Sequence, residues 1–103
     1  MSVIADLAIF PLDKGESLSA YVVRAVEIIK KSGLAHTMSP MGTSIEGQWE
    51  EVMDVVTQCF RAFEKDCNRV YLTLKIDWRK GEKGRMDRKI NSLQSKLVVP
   101  PSA

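Results

Sequence analysis

Two stretches of the chain alternate between apolar and other side chains with a period of two, which indicates β-strands that bury one face. In the first stretch, residues 3–12, the apolar positions of one face are Val3, Ala5, Leu7 and Ile9. In the second stretch, residues 69–79, they are Val70, Leu72, Leu74, Ile76 and Trp78. The alternate positions of the second stretch are mostly polar, so we expect both strands to lie in one sheet with one covered face.

Two further segments repeat apolar side chains at helical spacing. The first helix is predicted to begin after Ser17, a good N-cap, and to end near Lys31, ahead of Gly33. Its apolar stripe is Leu18, Val22, Ala25 and Ile29. The second helix is predicted to open at 47–51, where acidic residues suit the helix dipole, and to close at 66–68. Its apolar stripe is Val52, Val56, Cys59 and Phe63. Each helix therefore has one side that must be buried, most simply against the sheet.

Between the helices, residues 34–38 and 41–46 are predicted to be short strands, separated by Pro40. Residues 86–97 can form a final amphipathic helix, and 98–103 are expected to be a frayed tail. The order is β-α-β-β-α-β followed by a helix, and two right-handed β-α-β crossovers place both central helices on one face of an antiparallel sheet. We therefore predict one domain over residues 1–103, with the ferredoxin-like α+β sandwich fold.

Composition and charge narrow the function classes. The chain has 103 residues, 45% of them apolar, and a net charge of +2 with acids and bases interleaved, so we expect a folded core and no nucleic-acid partner. No apolar run reaches the length of a membrane span, and Asp6 interrupts the first run, so neither a membrane partner nor a signal peptide is expected and the predicted location is the cytoplasm. Cys59 and Cys67 lack a zinc-type spacing, and the chain has a single histidine, so no metal site is predicted.

The sheet face without helices is predicted to be mixed in character. Its expected members are Ile4, Asp6, Ala8, Phe10, Tyr71, Thr73, Lys75 and Asp77. A freely solvated face seldom gathers Ile4, Ala8 and Phe10 together, so we expect burial against another copy of the chain in a homo-oligomer. Partial cover of a ligand and scattered apolar exposure are the alternatives.

The segment 38–47 is the richest in candidate chemistry. It brings Pro40, two glycines, the Thr43 hydroxyl and the Glu46 carboxylate into a short turn-rich stretch, as sites for small molecules often do. Pro-x-Gly between apolar runs is also ordinary hairpin punctuation. Composition and spacing leave both interpretations open.

Three local patterns together resemble a known family. They are Pro40-Met41-Gly42-Thr43 with Glu46-Gly47, the strand Lys75-Ile76-Asp77-x-Arg79, and an opening strand that ends near Pro11. With the chain length and element order, the sequence resembles the small thiamine-binding protein family, long catalogued as an uncharacterised family of about a hundred residues. The resemblance implies a ferredoxin-like fold, a homotetramer built as a dimer of dimers, and binding of thiamine or its hydroxymethylpyrimidine part. It implies neither catalysis nor a cofactor.

The candidate ligand-binding residues follow from that resemblance and from hydrogen-bonding capacity. Thr43 donates and accepts, Glu46 accepts from an exocyclic amine, and Gly42 allows close approach of the backbone. Lys75, Asp77 and Arg79 are expected to close the site, from this subunit or a neighbouring one. Thr43 in a turn, Glu46 as a helix-start acid and an ion-paired surface ladder are the structural alternatives.

Other function classes remain open at this point. An oligomeric interaction or regulatory module needs no vitamin ligand, and a small enzyme needs a nucleophile, base or metal placed together. An RNA-binding protein of this fold needs aromatic side chains on the open sheet face, where only Phe10 and Tyr71 are expected.

Overall fold

A computed structural model of the chain describes residues 2–80 and 90–94. The elements are β1 (Ser2–Pro11), α1 (Ser19–Ser32), β2 (Ala35–Ser39), β3 (Gly42–Gly47), α2 (Trp49–Glu64) and β4 (Val70–Arg79). Residues 90–94 are helical, whereas the rest of the helix predicted over 86–97 and the tail 98–103 lie outside the described residues. The predicted β-α-β-β-α-β order is confirmed.

The four strands form one antiparallel sheet in the order β2-β3-β1-β4. β1 is central and pairs with β4 along its whole length, from Ser2 opposite Arg79 to Pro11 opposite Val70. Its pairing with β3 is shorter and ends where Leu7 lies opposite Thr43. This sheet, with both helices packed on one face, is the predicted ferredoxin-like α+β sandwich.

The core lies between the sheet and the two helices. Its buried apolar side chains are Val3, Ala5, Leu7, Ile9, Ala25, Ile29, Ile45, Val52, Val55, Val56, Cys59 and Phe63. The face of β1 predicted from its alternation is therefore the face that is buried. On β4 the prediction is only partly confirmed: Val70, Leu72 and Leu74 are half-buried against the core, whereas Ile76 and Trp78 are 37% and 52% exposed. β4 is at the edge of the sheet, where the helices cover less of the strand.

The ends of α1 differ in how well the sequence predicts them. Gly33 ends the helix in the left-handed region, at φ 77°, as expected for a glycine at this position. The prediction of Ser17 as N-cap is wrong, because the helix is initiated one residue later. The carbonyl of Leu18 accepts hydrogen bonds from the amides of Tyr21 and Val22, both at 3.0 Å.

A bidentate ion pair joins α1 to the end of α2. The guanidinium of Arg24 donates to both carboxylate oxygens of Asp66 at 2.9 and 2.7 Å, and it lies 4.8 Å from the centre of the Tyr21 ring. The hydrogen bond from Arg24 is the main reason that the pKa of Asp66 falls from 3.8 to about 2. The pair links α1 to the turn that follows α2.

Candidate ligand-binding pocket

A cavity of about 270 Å³ lies between α1 and the sheet, beside the β2–β3 hairpin. It arises because β1 has ten residues and β3 only six, so β3 stops before β1 does. Its described lining residues are Leu7, Ala8, Ile9, Phe10, Val22, Ala25, Val26, Ile29, Met38, Ser39, Pro40, Met41, Gly42 and Thr43. We call this space the hairpin pocket.

One wall of the hairpin pocket is the underside of α1. Val22 belongs to the apolar stripe predicted for this helix, yet it is 42% exposed because it borders the pocket. At the hairpin, Met38 and Met41 are 63% and 85% exposed. Apolar side chains that remain accessible around a concave space are typical of small-molecule sites.

Gly42 lets the hairpin approach β1 closely. A Cβ atom on Gly42 would lie 2.8 Å from the backbone oxygen of Leu7 and 3.2 Å from a carboxylate oxygen of Asp6. Its backbone is not in the positive-φ region, so close packing rather than turn geometry requires glycine here. A side chain at this position would displace the pocket wall.

Thr43 supplies a hydroxyl to the wall of the hairpin pocket. Its residue is 5% exposed and lines the cavity. In the part of the chain that the structure describes, no group forms a hydrogen bond with this hydroxyl. The Ser39 hydroxyl, by contrast, donates to the Gly42 carbonyl at 3.1 Å. Thr43 is therefore available to a ligand as both donor and acceptor.

The hairpin pocket is electrically neutral at its wall. None of the described lining residues carries a charge. An ion held there would be desolvated without a countercharge, which costs several kcal/mol or more. The pocket is suited to an uncharged, flat and largely apolar group.

The remaining predicted site residues lie on the opposite face of the sheet. Glu46 lies opposite Ile4 on one side of β1, and Asp77 lies opposite the same residue on the other side. Neighbouring strands are about 4.8 Å apart, so the Cα atoms of Glu46 and Asp77 are separated by about 10 Å. Lys75 and Arg79 follow the same alternation as Asp77 along β4. The structure thus groups Gly42 and Thr43 at the hairpin pocket. It places the four charged residues on the face of the sheet that carries no helix, which we call the open face.

The open face has features of its own. Glu46 is only 8% exposed there, although it is a carboxylate. The rings of Phe10 and Tyr71 stack with their centres 5.4 Å apart, and Tyr71 remains 49% exposed. Lys75 lies directly opposite Asp6 across β1 and β4.

The two cysteines do not lie in the hairpin pocket. Cys59 is buried in the core, and burial raises the pKa of its thiol to about 11. Cys67 is half-buried beside Asp66. Within residues 2–80 and 90–94, the structure shows no cluster of His, Cys, Asp and Glu that could hold a metal ion. None of the described helices combines the length and the hydropathy of a membrane span.

Comparison with known proteins places the chain in a family. The family model described as thiamine-binding protein matches residues 5–94. The chain belongs to the thiamine-binding protein family. A UPF0045 protein of Methanocaldococcus jannaschii is 36% identical over 91 residues, covering 88% of this chain and 91% of the relative. A UPF0045 protein of Mycobacterium bovis is 35% identical over 101 residues, covering 97% and 99%.

Solved structures of relatives agree with the fold. The crystal structure of the Methanocaldococcus jannaschii protein has a TM-score of 0.83 at 35% identity and covers 90% of this chain and 96% of its own. A protein of Thermotoga maritima, described as a candidate thiamine biosynthesis/salvage protein, has a TM-score of 0.80 at 28% identity and covers 90% and 99%. Both share the four-stranded sheet architecture with this family member.

Sequence reasoning missed most of the pocket wall. Ile9 and Val22 read as ordinary core positions, since each continues a regular apolar pattern. A usable signal was the difference in strand length, because a six-residue strand cannot pair with all of a ten-residue neighbour. That difference marks where part of the edge of β1 is left open.

Proposed function

We propose that this protein binds thiamine or a related pyrimidine, such as hydroxymethylpyrimidine, without catalysing its conversion, and that the hairpin pocket holds the pyrimidine ring. The observation that carries the proposal is the hydroxyl of Thr43, a residue only 5% exposed, at the wall of a mostly apolar cavity of about 270 Å³. Family membership over residues 5–94 and the description of the Thermotoga maritima relative support the same ligand class.

Size and shape favour a single ring. Pockets for whole drug-sized ligands have volumes of about 300–1,000 Å³, and the hairpin pocket lies just below that range. A pyrimidine presents two flat apolar faces and a polar rim. Its faces would pack between Ile29 of α1 and the sheet, while Thr43 would bond the rim. The thiazolium part of thiamine would then lie at the opening, near Met38 and Met41.

Isothermal titration calorimetry with thiamine and hydroxymethylpyrimidine tests this proposal, with thermal shift as an independent readout. A ligand present at about one hundred times its Kd stabilises the folded state by about 2.7 kcal/mol. Absence of binding by both compounds at millimolar concentration would overturn the proposed ligand class. Incubation with each compound, followed by product analysis, tests whether the protein converts what it binds.

The six predicted site residues stay predictions, and paired variants distinguish between the two faces. If the ring lies in the hairpin pocket, Thr43→Val weakens binding and Glu46→Gln does not. If the ligand lies on the open face, against Glu46 with Lys75, Asp77 or Arg79, the order of the two effects is reversed. The two side chains are close in sequence, so each variant is the matched control of the other.

We further propose that the open sheet face is covered by a second copy of the chain, in a homotetramer built as a dimer of dimers. The half-buried Ile4, Ala8 and Phe10 and the exposed ring of Tyr71 support this, since such a face gains by leaving water. Light scattering at micromolar concentration tests it. An oligomer that binds no pyrimidine would favour the alternative function, an interaction or regulatory module. The cytoplasmic location stays a prediction.

A further inference from the structure

The backbone of β1 directs its hydrogen-bonding groups alternately to its two neighbours. In an antiparallel strand, the N–H and C=O of one residue point to the same side, and those of the next residue to the other side. The amide of Leu12 donates to the Arg69 carbonyl at 2.8 Å, towards β4. The carbonyl of Leu7 points towards β3, where it lies 2.8 Å from the Cβ position of Gly42. The backbone N–H and C=O groups of the odd-numbered residues of β1 therefore point towards β3.

Ile9 is the first odd-numbered residue beyond the end of that pairing. The β1–β3 register runs from Val3 opposite Gly47 to Leu7 opposite Thr43, so the next position opposite Ile9 is Met41. Met41 precedes β3, and among the described residues no backbone hydrogen bond joins it to Ile9. The N–H and C=O of Ile9 thus point to the β3 side of β1, beyond the end of β3, and Ile9 lines the hairpin pocket although it is only 6% exposed.

Buried backbone groups are nearly always paired, by protein, water or ligand. Ile9 offers a backbone donor and a backbone acceptor side by side, in the arrangement that a further strand would use. A ring with an acceptor nitrogen next to an exocyclic amine is complementary to that edge. Ligands that extend a sheet edge obtain affinity from main-chain hydrogen bonds in the same way.

We propose that the open edge of β1 at Ile9 binds the amino-pyrimidine edge of the ligand, so that the backbone selects 4-aminopyrimidines over 4-oxopyrimidines. This assignment rests on the proposed function and names the group that recognises the ring. The Ile9 N–H donates to the ring nitrogen, and the Ile9 C=O accepts from the exocyclic amine. Thr43, on the strand that ends here, is free to bond another part of the ring.

The 4-oxo analogue reverses both partners. It presents a ring N–H to the Ile9 N–H and a carbonyl to the Ile9 C=O, so two buried bonds become two unfavourable contacts. Sites built to hydrogen-bond a ligand group discriminate strongly against analogues that lack it. We expect the 4-oxo analogue of hydroxymethylpyrimidine to bind at least roughly a hundredfold more weakly than the amino compound.

Amide hydrogen exchange, followed by nuclear magnetic resonance on the full chain, tests the open edge directly. In the free protein the Ile9 amide should exchange faster than three neighbouring amides that are paired. The amides of Ala5 and Leu7 point towards β3, and that of Phe10 points towards β4. Saturating hydroxymethylpyrimidine should slow Ile9 roughly tenfold or more, because its N–H gains a partner. Protection of Ile9 in the free protein equal to that of its neighbours would overturn the assignment.

Calorimetry with both analogues separates this inference from the function on which it rests. Equal binding of the amino and oxo compounds overturns the assignment to Ile9 and leaves the proposed function standing. Binding of neither overturns both. Thr43→Val is the control, since it should weaken both compounds and leave their affinity ratio unchanged. Collapse of that ratio in Thr43→Val would identify the hydroxyl, rather than the backbone, as the selecting group.

Discussion

Thr43 and Glu46 are three positions apart in one strand and lie on opposite faces of the sheet. Thr43 lies opposite Leu7 of the core, whereas Glu46 lies opposite Ile4 of the open face. Side chains alternate along a strand, so an odd separation places two residues on different sides. One ligand edge within a single subunit cannot be held by both.

The first prediction concerns this pair. Thr43→Val keeps the shape of the side chain and removes a neutral hydrogen bond, which contributes about 0.5–1.5 kcal/mol. Affinity for hydroxymethylpyrimidine should therefore fall roughly two- to tenfold. Glu46→Gln should leave it within about twofold, because its side chain is on the other face. Calorimetry on both variants measures the two effects, and a larger loss in Glu46→Gln would move the site to the open face.

The second prediction concerns Gly42. Gly42→Ala places a Cβ at 2.8 Å from the Leu7 backbone oxygen, so the hairpin must shift away from β1. We expect the free energy of unfolding, measured by urea denaturation, to fall by about 1–3 kcal/mol. Ligand binding should weaken as well. Gly47→Ala is the control, since its Cβ would meet the ends of the Leu34 and Val52 side chains at 3.2–3.4 Å. Equal stability of the Gly42 variant and the parent would show that the close approach is dispensable.

The third prediction concerns the position of charge on the ligand. The described wall of the hairpin pocket carries no charged residue, so a phosphate one methylene from the ring would be desolvated at the opening. Hydroxymethylpyrimidine should bind at least roughly tenfold more tightly than its phosphate ester. Thiamine and thiamine phosphate should differ little, because that phosphate lies far from the pyrimidine. Tighter binding of the phosphate ester in calorimetry would contradict a neutral site.

The fourth prediction concerns assembly. Tyr71→Ala removes an exposed ring of the open face that stacks on Phe10, and Tyr71 does not line the hairpin pocket. If the ring is buried between copies, association should weaken by about 3 kcal/mol, seen as dissociation on dilution in light scattering. Val23→Ala is the control, because Val23 is 51% exposed on α1. An unchanged assembly in Tyr71→Ala would exclude this ring from the interface.

The fifth prediction concerns acid stability. The pKa of Asp66 is lowered from 3.8 to about 2 by its hydrogen bonds from Arg24, so the folded state favours the ionised carboxylate. This contribution is present above about pH 4 and is lost as the pH falls towards 2. Asp66→Asn should reduce stability at neutral pH and flatten its dependence on pH between 4 and 2. Denaturant unfolding across that range measures both effects.

Glu64→Gln is the matched control for the acid-stability prediction. Glu64 pairs with Arg61 on the surface of the same helix, at 2.8 Å, and does not join the two helices. Its removal should change stability by less than about 1 kcal/mol. The same steep acid profile in Asp66→Asn and the parent would show that other carboxylates, such as Asp13, dominate it.

The sequence by itself determined the fold. Strict alternation in β1 specified which of its residues enter the core, because a strand that slipped by one position would expose Val3, Ala5, Leu7 and Ile9. Gly33 marked the end of α1, since glycine readily adopts the left-handed conformation found there. Local patterns of this kind are reliable when backbone preference and burial point the same way.

Only the tertiary structure decided the geometry of the site. The hairpin pocket exists because β3 ends before β1 does, and the length of a strand's pairing depends on its neighbour rather than on its own residues. Ile9 and Val22 have the pattern of core residues, and nothing local distinguishes a covered position from one beside a gap. Thr43 and Glu46 were grouped because they are close in sequence, whereas the pleat of the strand separates them. Proximity along the chain follows directly from the sequence, but the face on which Thr43 and Glu46 each lie follows from the pairing of β3 with β1.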